Sequence, residues 1–93
     1  METFIEKSLS VLNKFCVQYC GVHPTLLSSR KRKFLVYFLT ELGVRQKVIS
    51  TFFLIHRSTL SKDLAKFKTN KNLVLDPFYI KICDYYKSQT EKI

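Results

Sequence analysis

The sequence predicts an all-α fold, a five-helix bundle forming one domain over residues 1–93. Three observations predict it. Ninety-three residues suffice for one modest core, since a chain of this size buries roughly 60–70% of its unfolded surface. The composition is 46% apolar with eight Phe and five Tyr, too rich in large side chains for a disordered chain. Only two Gly and two Pro leave few turns and therefore long elements.

The first helix is expected over about residues 3–19. Ile5, Leu9, Leu12, Cys16 and Tyr19 recur at steps of four, three, four and three, the stripe of an amphipathic helix. Phe4, Val11 and Phe15 widen the stripe, and Gly21 and Pro24 stop the helix. HPTLLSS is a connector with room for one helical turn. The second helix starts at Ser28 or Ser29, either of which can cap it, and ends at Gly43. Its middle, FLVYFL, is apolar all round, so neighbours must enclose it. Those letters also suit a strand; the basic lead-in, the Gly stop and the helical neighbours decide for a helix. RQKVISTFF is the third helix and RSTLSKDLAKF the fourth, with Leu60, Leu64 and Phe67 on one side. KTNKN is a polar break. In LDPFYIKICDYYKSQ, Asp76 caps a fifth helix and Pro77 takes its first position. Phe78, Ile82 and Tyr85 or Tyr86 form its apolar stripe.

Sixteen basic residues against seven acidic give a net charge of +9. Residues 30–71 hold eleven of the basic residues and two acids, Glu41 and Asp63, which is the whole net charge. The flanks cancel. A merely basic surface has no reason to confine its excess to one segment, whereas a footprint for a polyanion does.

Three cysteines, Cys16, Cys20 and Cys83, are an odd number, and METFIEKSLS is not a basic start followed by an apolar run. The longest apolar run, residues 34–39, is far too short to span a bilayer. These features suit a reduced, cytoplasmic protein with no membrane partner and with buried thiols. Cys16, Cys20 and His23, with Cys83 as a fourth, are potential metal ligands. Their C-x3-C-x2-H spacing is not a standard zinc pattern and Cys16 lies on the apolar stripe, so no metal or other cofactor is expected. The acids are scattered singly and neither histidine has a carboxylate or nucleophile at readable spacing, so no enzyme is expected.

RQKVISTFFLIHRSTLSKDL, residues 45–64, changes from apolar to polar and basic across one short turn. Gln46 as the first position of a helix-turn-helix over about residues 45–68 places Ile49 and Phe53 at buried positions. Small Ser50 falls at the close helix crossing. Leu54, Ile55 and His56 form the turn, with Ile55 plugging the core, and Leu60 and Leu64 are buried in the second helix. His56, Arg57, Ser58, Ser61 and Lys62 then face outward where a recognition helix meets base edges. Arg57 can bind guanine O6 and N7 through both arms, Ser58 and Ser61 can reach bases or phosphates, and the Thr59 methyl can touch thymine. Arg45, Gln46 and Lys47 on the first helix, and Arg30, Arg32 and Lys33 on the rim, suit the phosphate backbone. Leu54 occupies a turn position with positive φ that usually holds Gly, at a cost on the order of 1 kcal/mol. The cations of SSRKRK oppose the dipole of the helix they begin, a cost that phosphates would relieve.

These residues carry a resemblance. QKVISTFFLIHRSTLSKDL is similar to the generic bacterial helix-turn-helix, in which a Gln opens the unit and an RST-apolar-S run begins the recognition helix. Over residues 17–67, VQYCGV, LLSSRKRK, YFLTEL, VISTFF and HRSTL occur in order. That stretch resembles the C-terminal, Trp-repressor-like DNA-binding domain of the bacterial replication initiator DnaA. In that family a basic loop and an Arg-Asp-His-Ser-Thr signature touch DNA, which implies such roles for Ser58 and Thr59 and for Arg30 or Arg32. The family's Asp and His positions hold His56 and Arg57, its Gly-Gly turn is missing, and no GxxxxGK[ST] is present. The resemblance thus implies the fold rather than the initiator's recognition boxes.

The expected function is binding of double-stranded DNA, as a small transcriptional regulator or accessory replication factor of bacterial or phage type, nucleoid-associated in the cytoplasm. A rival reading is a protein-interaction adaptor that kept the fold and lost the groove contacts; a third is RNA or non-specific nucleic-acid binding. Tyr79, Tyr85 and Tyr86 could stack on bases, but they lie outside the charged stretch. They suit core cover better, or a homodimer or partner surface on the fifth helix.

Overall fold

The periodicities become five α-helices: α1 (Phe4–Phe15), α2 (Ser29–Glu41), α3 (Gln46–Phe53), α4 (Arg57–Thr69) and α5 (Pro77–Thr90). The structure is a computed structural model that describes residues 4–90, and among these there is no strand, so the fold is all-α. Short 3-10 turns fill two connections, Pro24–Leu26 and Lys71–Leu75. What reads in sequence as a polar break, KTNKN, is shared between the end of α4, which runs on through Lys68 and Thr69, and the second of these turns, which begins at Lys71.

Thr3, the expected start of the first helix, lies outside the described residues. α1 passes directly into a wider π-helical segment (Cys16–Cys20), which Gly21 ends at φ 71°. The buried row of α1 is Ser8, Val11, Leu12 and Phe15. The expected stripe is therefore rotated: Ile5 and Leu9 are half-buried, and Phe4 and Tyr19 are exposed. Ser8 is the cause. Its hydroxyl donates to the Phe4 carbonyl at 2.9 Å and lies 2.9 Å from the Tyr86 hydroxyl. A small polar residue whose hydrogen bonds are met inside the fold can sit under α5 without penalty.

The apolar middle of α2 is the centre of the bundle. Phe34, Leu35, Val36, Phe38 and Leu39 are buried, and α2 touches α3, α4 and α5. Its exposed-side aromatic, Tyr37, stacks flat on Phe67 of α4 with centroids 4.1 Å apart and planes 2° from parallel. Ile82 of α5 is buried, and Phe78, Tyr79, Tyr85 and Tyr86 pack on the core around it. Tyr85 meets Phe15 edge-on at 5.4 Å and Tyr86 meets Phe38 at 5.2 Å. The tyrosines of α5 therefore cover the core. Asp76 caps this helix by accepting the Phe78 amide at 2.9 Å.

Three junctions between helices follow one rule. Gly21, Gly43 and Leu54 are the residues with positive φ among those described. Each is followed by a β-branched apolar residue (Val22, Val44, Ile55) and then by an extended N-cap (His23, Arg45, His56). After α2, the Val44 amide donates to Leu39 and the Gly43 amide to Thr40. After α3, the Ile55 amide donates to Ser50 and the Leu54 amide to Thr51, the same pair of bonds. Both are Schellman ends, which satisfy the last carbonyls of a helix through one left-handed residue. Glycine is the usual residue there; Leu54 fills the position at φ 53° with 75% of its surface exposed. The side chain thus gains little burial in return for the strain. Leu54→Gly is expected to stabilise the protein by about 1 kcal/mol, read as a higher urea midpoint. An unchanged or lower midpoint would show that the left-handed leucine is not strained.

Candidate nucleic-acid interface

Ile49, Ser50 and Phe53 of α3 and Leu60 of α4 are buried. Ile55 is half-buried against the core. The expected buried row of α4 needs correction at one position. The row is Leu60, Asp63 and Phe67, while Leu64 is half-buried. A charged residue occupies the line where an apolar one was expected.

Asp63 is buried because Arg32 meets it. The Arg32 Nε–H donates to the Asp63 Oδ2 at 2.8 Å, with side-chain exposures of 15% and 3%. Lys66, one turn on, approaches the other carboxylate oxygen at 3.9 Å. Arg32 thus bonds to the interior face of α4. Lys33 is half-buried, with its ammonium 5.2 Å from the centre of the Phe34 ring. Of the cations that open α2, Arg30 and Lys31 are the exposed ones. No acid stands in that first turn and the Ser28 side chain makes no capping bond, so nothing local offsets the cations against the helix dipole.

His56, which precedes α4 as its N-cap, and Arg57, Ser58, Ser61 and Lys62 on α4 are exposed, and Thr59 is half-buried. His56 also has a structural part that the sequence reading missed. Its Nδ1 accepts the Ser58 amide at 3.2 Å and lies 3.0 Å from the Ser58 hydroxyl, which caps the helix. In the neutral ring this leaves Nε2 as the outward donor. His23 caps the Pro24–Leu26 turn in the same way through Thr25. The H-x-S/T spacing shared by HPT and HRS was the available signal.

Arg45, Gln46 and Lys47 open α3 and are exposed, but not on one surface. Gln46 borders an open groove of ≈ 630 Å³ with Tyr37, Glu41, Leu64, Phe67 and Lys68. Lys47 borders a smaller apolar cleft of ≈ 300 Å³ with Leu9, Val48, Thr51 and Phe52. The structure therefore joins the start of α2 to α4 through Arg32 and Asp63, and divides the start of α3 between two faces.

The three thiols do not gather. Cys16 is buried, and burial with Cys20 nearby pushes its thiol up to about 12. Cys20 and Cys83 are half-buried rather than fully buried as expected. Burial also raises the Cys83 thiol, with the Asp84 charge adding to it. Among the described residues no group of three His, Cys, Asp or Glu side chains is placed to hold a metal ion, and no helix is long and apolar enough to cross a membrane. Compared with known protein families, curated proteins and solved structures, the chain matches none.

Proposed function

We propose that this protein binds double-stranded DNA, with α3, its turn and α4 acting as a helix-turn-helix and α4 as the recognition helix. A small transcriptional regulator or accessory replication factor is the role that fits such a unit. The observation that carries the reading is the confinement of the entire +9 charge to residues 30–71, together with the exposure of Arg30, Lys31, Arg57 and Lys62. Arg57, Ser58 and Ser61 lie within the first two turns of α4, where side chains of a recognition helix reach base edges. Arg30 and Lys31 suit phosphates on the groove wall.

Duplex binding measured against salt tests this. If about six phosphates are engaged, affinity is expected to fall roughly 10³-fold between 50 and 200 mM salt. Arg57→Ala is expected to cost about 1–3 kcal/mol on a preferred site and to flatten preference at one base pair. Arg30→Ala should weaken every sequence alike and reduce the salt slope by about one. No duplex binding at 50 mM salt removes the DNA reading. Equal behaviour of the two variants removes base reading by α4.

The groove beside Gln46 favours a second reading, an adaptor that binds protein. Its apolar wall of Tyr37, Leu64, Phe67 and Val74 lies between polar ends that include Glu41, Lys68 and Lys71. In that case Leu64→Asp abolishes partner binding while Arg57→Ala leaves it unchanged.

A further inference from the structure

The cations at the start of α2 pose a problem that packing alone does not answer. Arg30, Lys31, Arg32 and Lys33 stand at the positive end of a helix dipole, with no acid in the turn and no side-chain cap. That turn is held from outside, by the bond from Arg32 Nε to Asp63 Oδ2 at 2.8 Å. Asp63 stands in a row with Leu60 and Phe67, both buried, where an apolar residue would pack as well. A buried ion pair seldom stabilises a fold more than well-packed apolar side chains of the same volume. The pair differs from apolar packing in its direction. Phe34 and Tyr37 of α2 already pack on Phe67 of α4; the ion pair adds to that packing a directional bond 2.8 Å long, which favours one register between the two helices.

We propose that Arg32 is a positioning residue, and Asp63 its anchor, that sets the spacing between the exposed cations of α2 and the exposed residues of α4. The proposal rests on the duplex-binding reading above. Phosphates on a duplex stand at fixed separations across a major groove about 12 Å wide. Arg30 and Lys31 on one helix and Arg57 and Lys62 on the other can meet both walls only if the two helices keep one register. Asp63 also carries a charge that phosphates repel, so its presence in the basic segment works against affinity unless it serves geometry.

That sign gives the test. Asp63→Leu removes the acceptor of the Arg32 bond and raises the net charge by one, so long-range electrostatics alone would tighten duplex binding. Positioning requires the opposite, a loss of at least tenfold at 100 mM salt in protein shown to be folded by its circular dichroism. The second variant is the apolar pair Arg32→Met with Asp63→Leu, which leaves net charge unchanged. It is expected to melt no lower than the wild type, yet to bind duplex at least tenfold more weakly. Its salt slope should fall by about two, because Arg30 and Lys31 leave register; loss of Arg32 as a direct phosphate contact would remove only about one. Binding by either variant at wild-type strength overturns the proposal while leaving the DNA reading intact. So does failure of the apolar pair to fold, since the ion pair would then be holding the core together. Absence of duplex binding by the wild type, measured in the same titration, removes the DNA reading itself.

Discussion

Arg32→Ala is expected to lower the unfolding free energy by about 3–5 kcal/mol, the range seen when one partner of a buried ion pair is removed. The size follows from what is left behind. Asp63 is 3% exposed, and without Arg32 its nearest cation is Lys66, 3.9 Å away on a half-exposed side chain. A domain of this size has roughly 5–15 kcal/mol of stability in all, so the substitution removes a large share of it. Arg32→Lys should lose less, because the charge is kept and only the planar fork is lost. Urea titration of the three proteins measures this. A loss under 1 kcal/mol for Arg32→Ala would mean that Asp63 has another partner and that the seam between α2 and α4 does not depend on this bond. The same residue reads from sequence as a phosphate contact, so a drop in duplex binding by Arg32→Ala must be corrected for the fraction folded.

The helices and their stops were legible because they rest on local rules. Gly21, Gly43 and Pro77 mark helix ends through their own backbone preferences, and Leu54 was placed at its left-handed position by counting along the turn. What was not legible depends on partners distant in sequence. Ser8 has no place in the apolar stripe read from sequence, yet it is buried where Tyr86, on the last helix, comes to lie 2.9 Å from its hydroxyl. Asp63 reads only as one of two acids in the basic segment, and Leu64 beside it as core, until Arg32 reaches in from α2. With that bond made, α4 turns its Asp63 side inward and leaves Leu64 at the edge of a groove. The basic segment was legible as a total and not as a surface. Sequence gave Arg30, Arg32 and Lys33 one role, but one bonds to an acid, one lies against a ring and one is exposed. Lys31, exposed beside them, reads from sequence only as one of the cations of SSRKRK.

Phe53→Ala is expected to cost about 3–5 kcal/mol. Phe53 is 1% exposed, at the end of α3 just before the left-handed turn, and its ring meets that of Phe52 edge-on at 4.9 Å. Removing the ring opens a cavity bordered by a turn that cannot easily close on it, since Leu54 and Ile55 are fixed by their bonds to Thr51 and Ser50. Partial collapse is what makes some large-to-small changes mild, and these bonds restrict it here. Leu64→Ala should behave differently. Its side chain is half-buried on an open groove, so less apolar surface returns to water and no closed cavity forms; about 1 kcal/mol is expected. The comparison tests the register of α3 and α4 without reference to any ligand. If Leu64→Ala costs as much as Phe53→Ala, then Leu64 and not Asp63 lies in the buried row. The inward turn of α4 would then be wrong, and with it the outward face assigned to Arg57, Ser61 and Lys62.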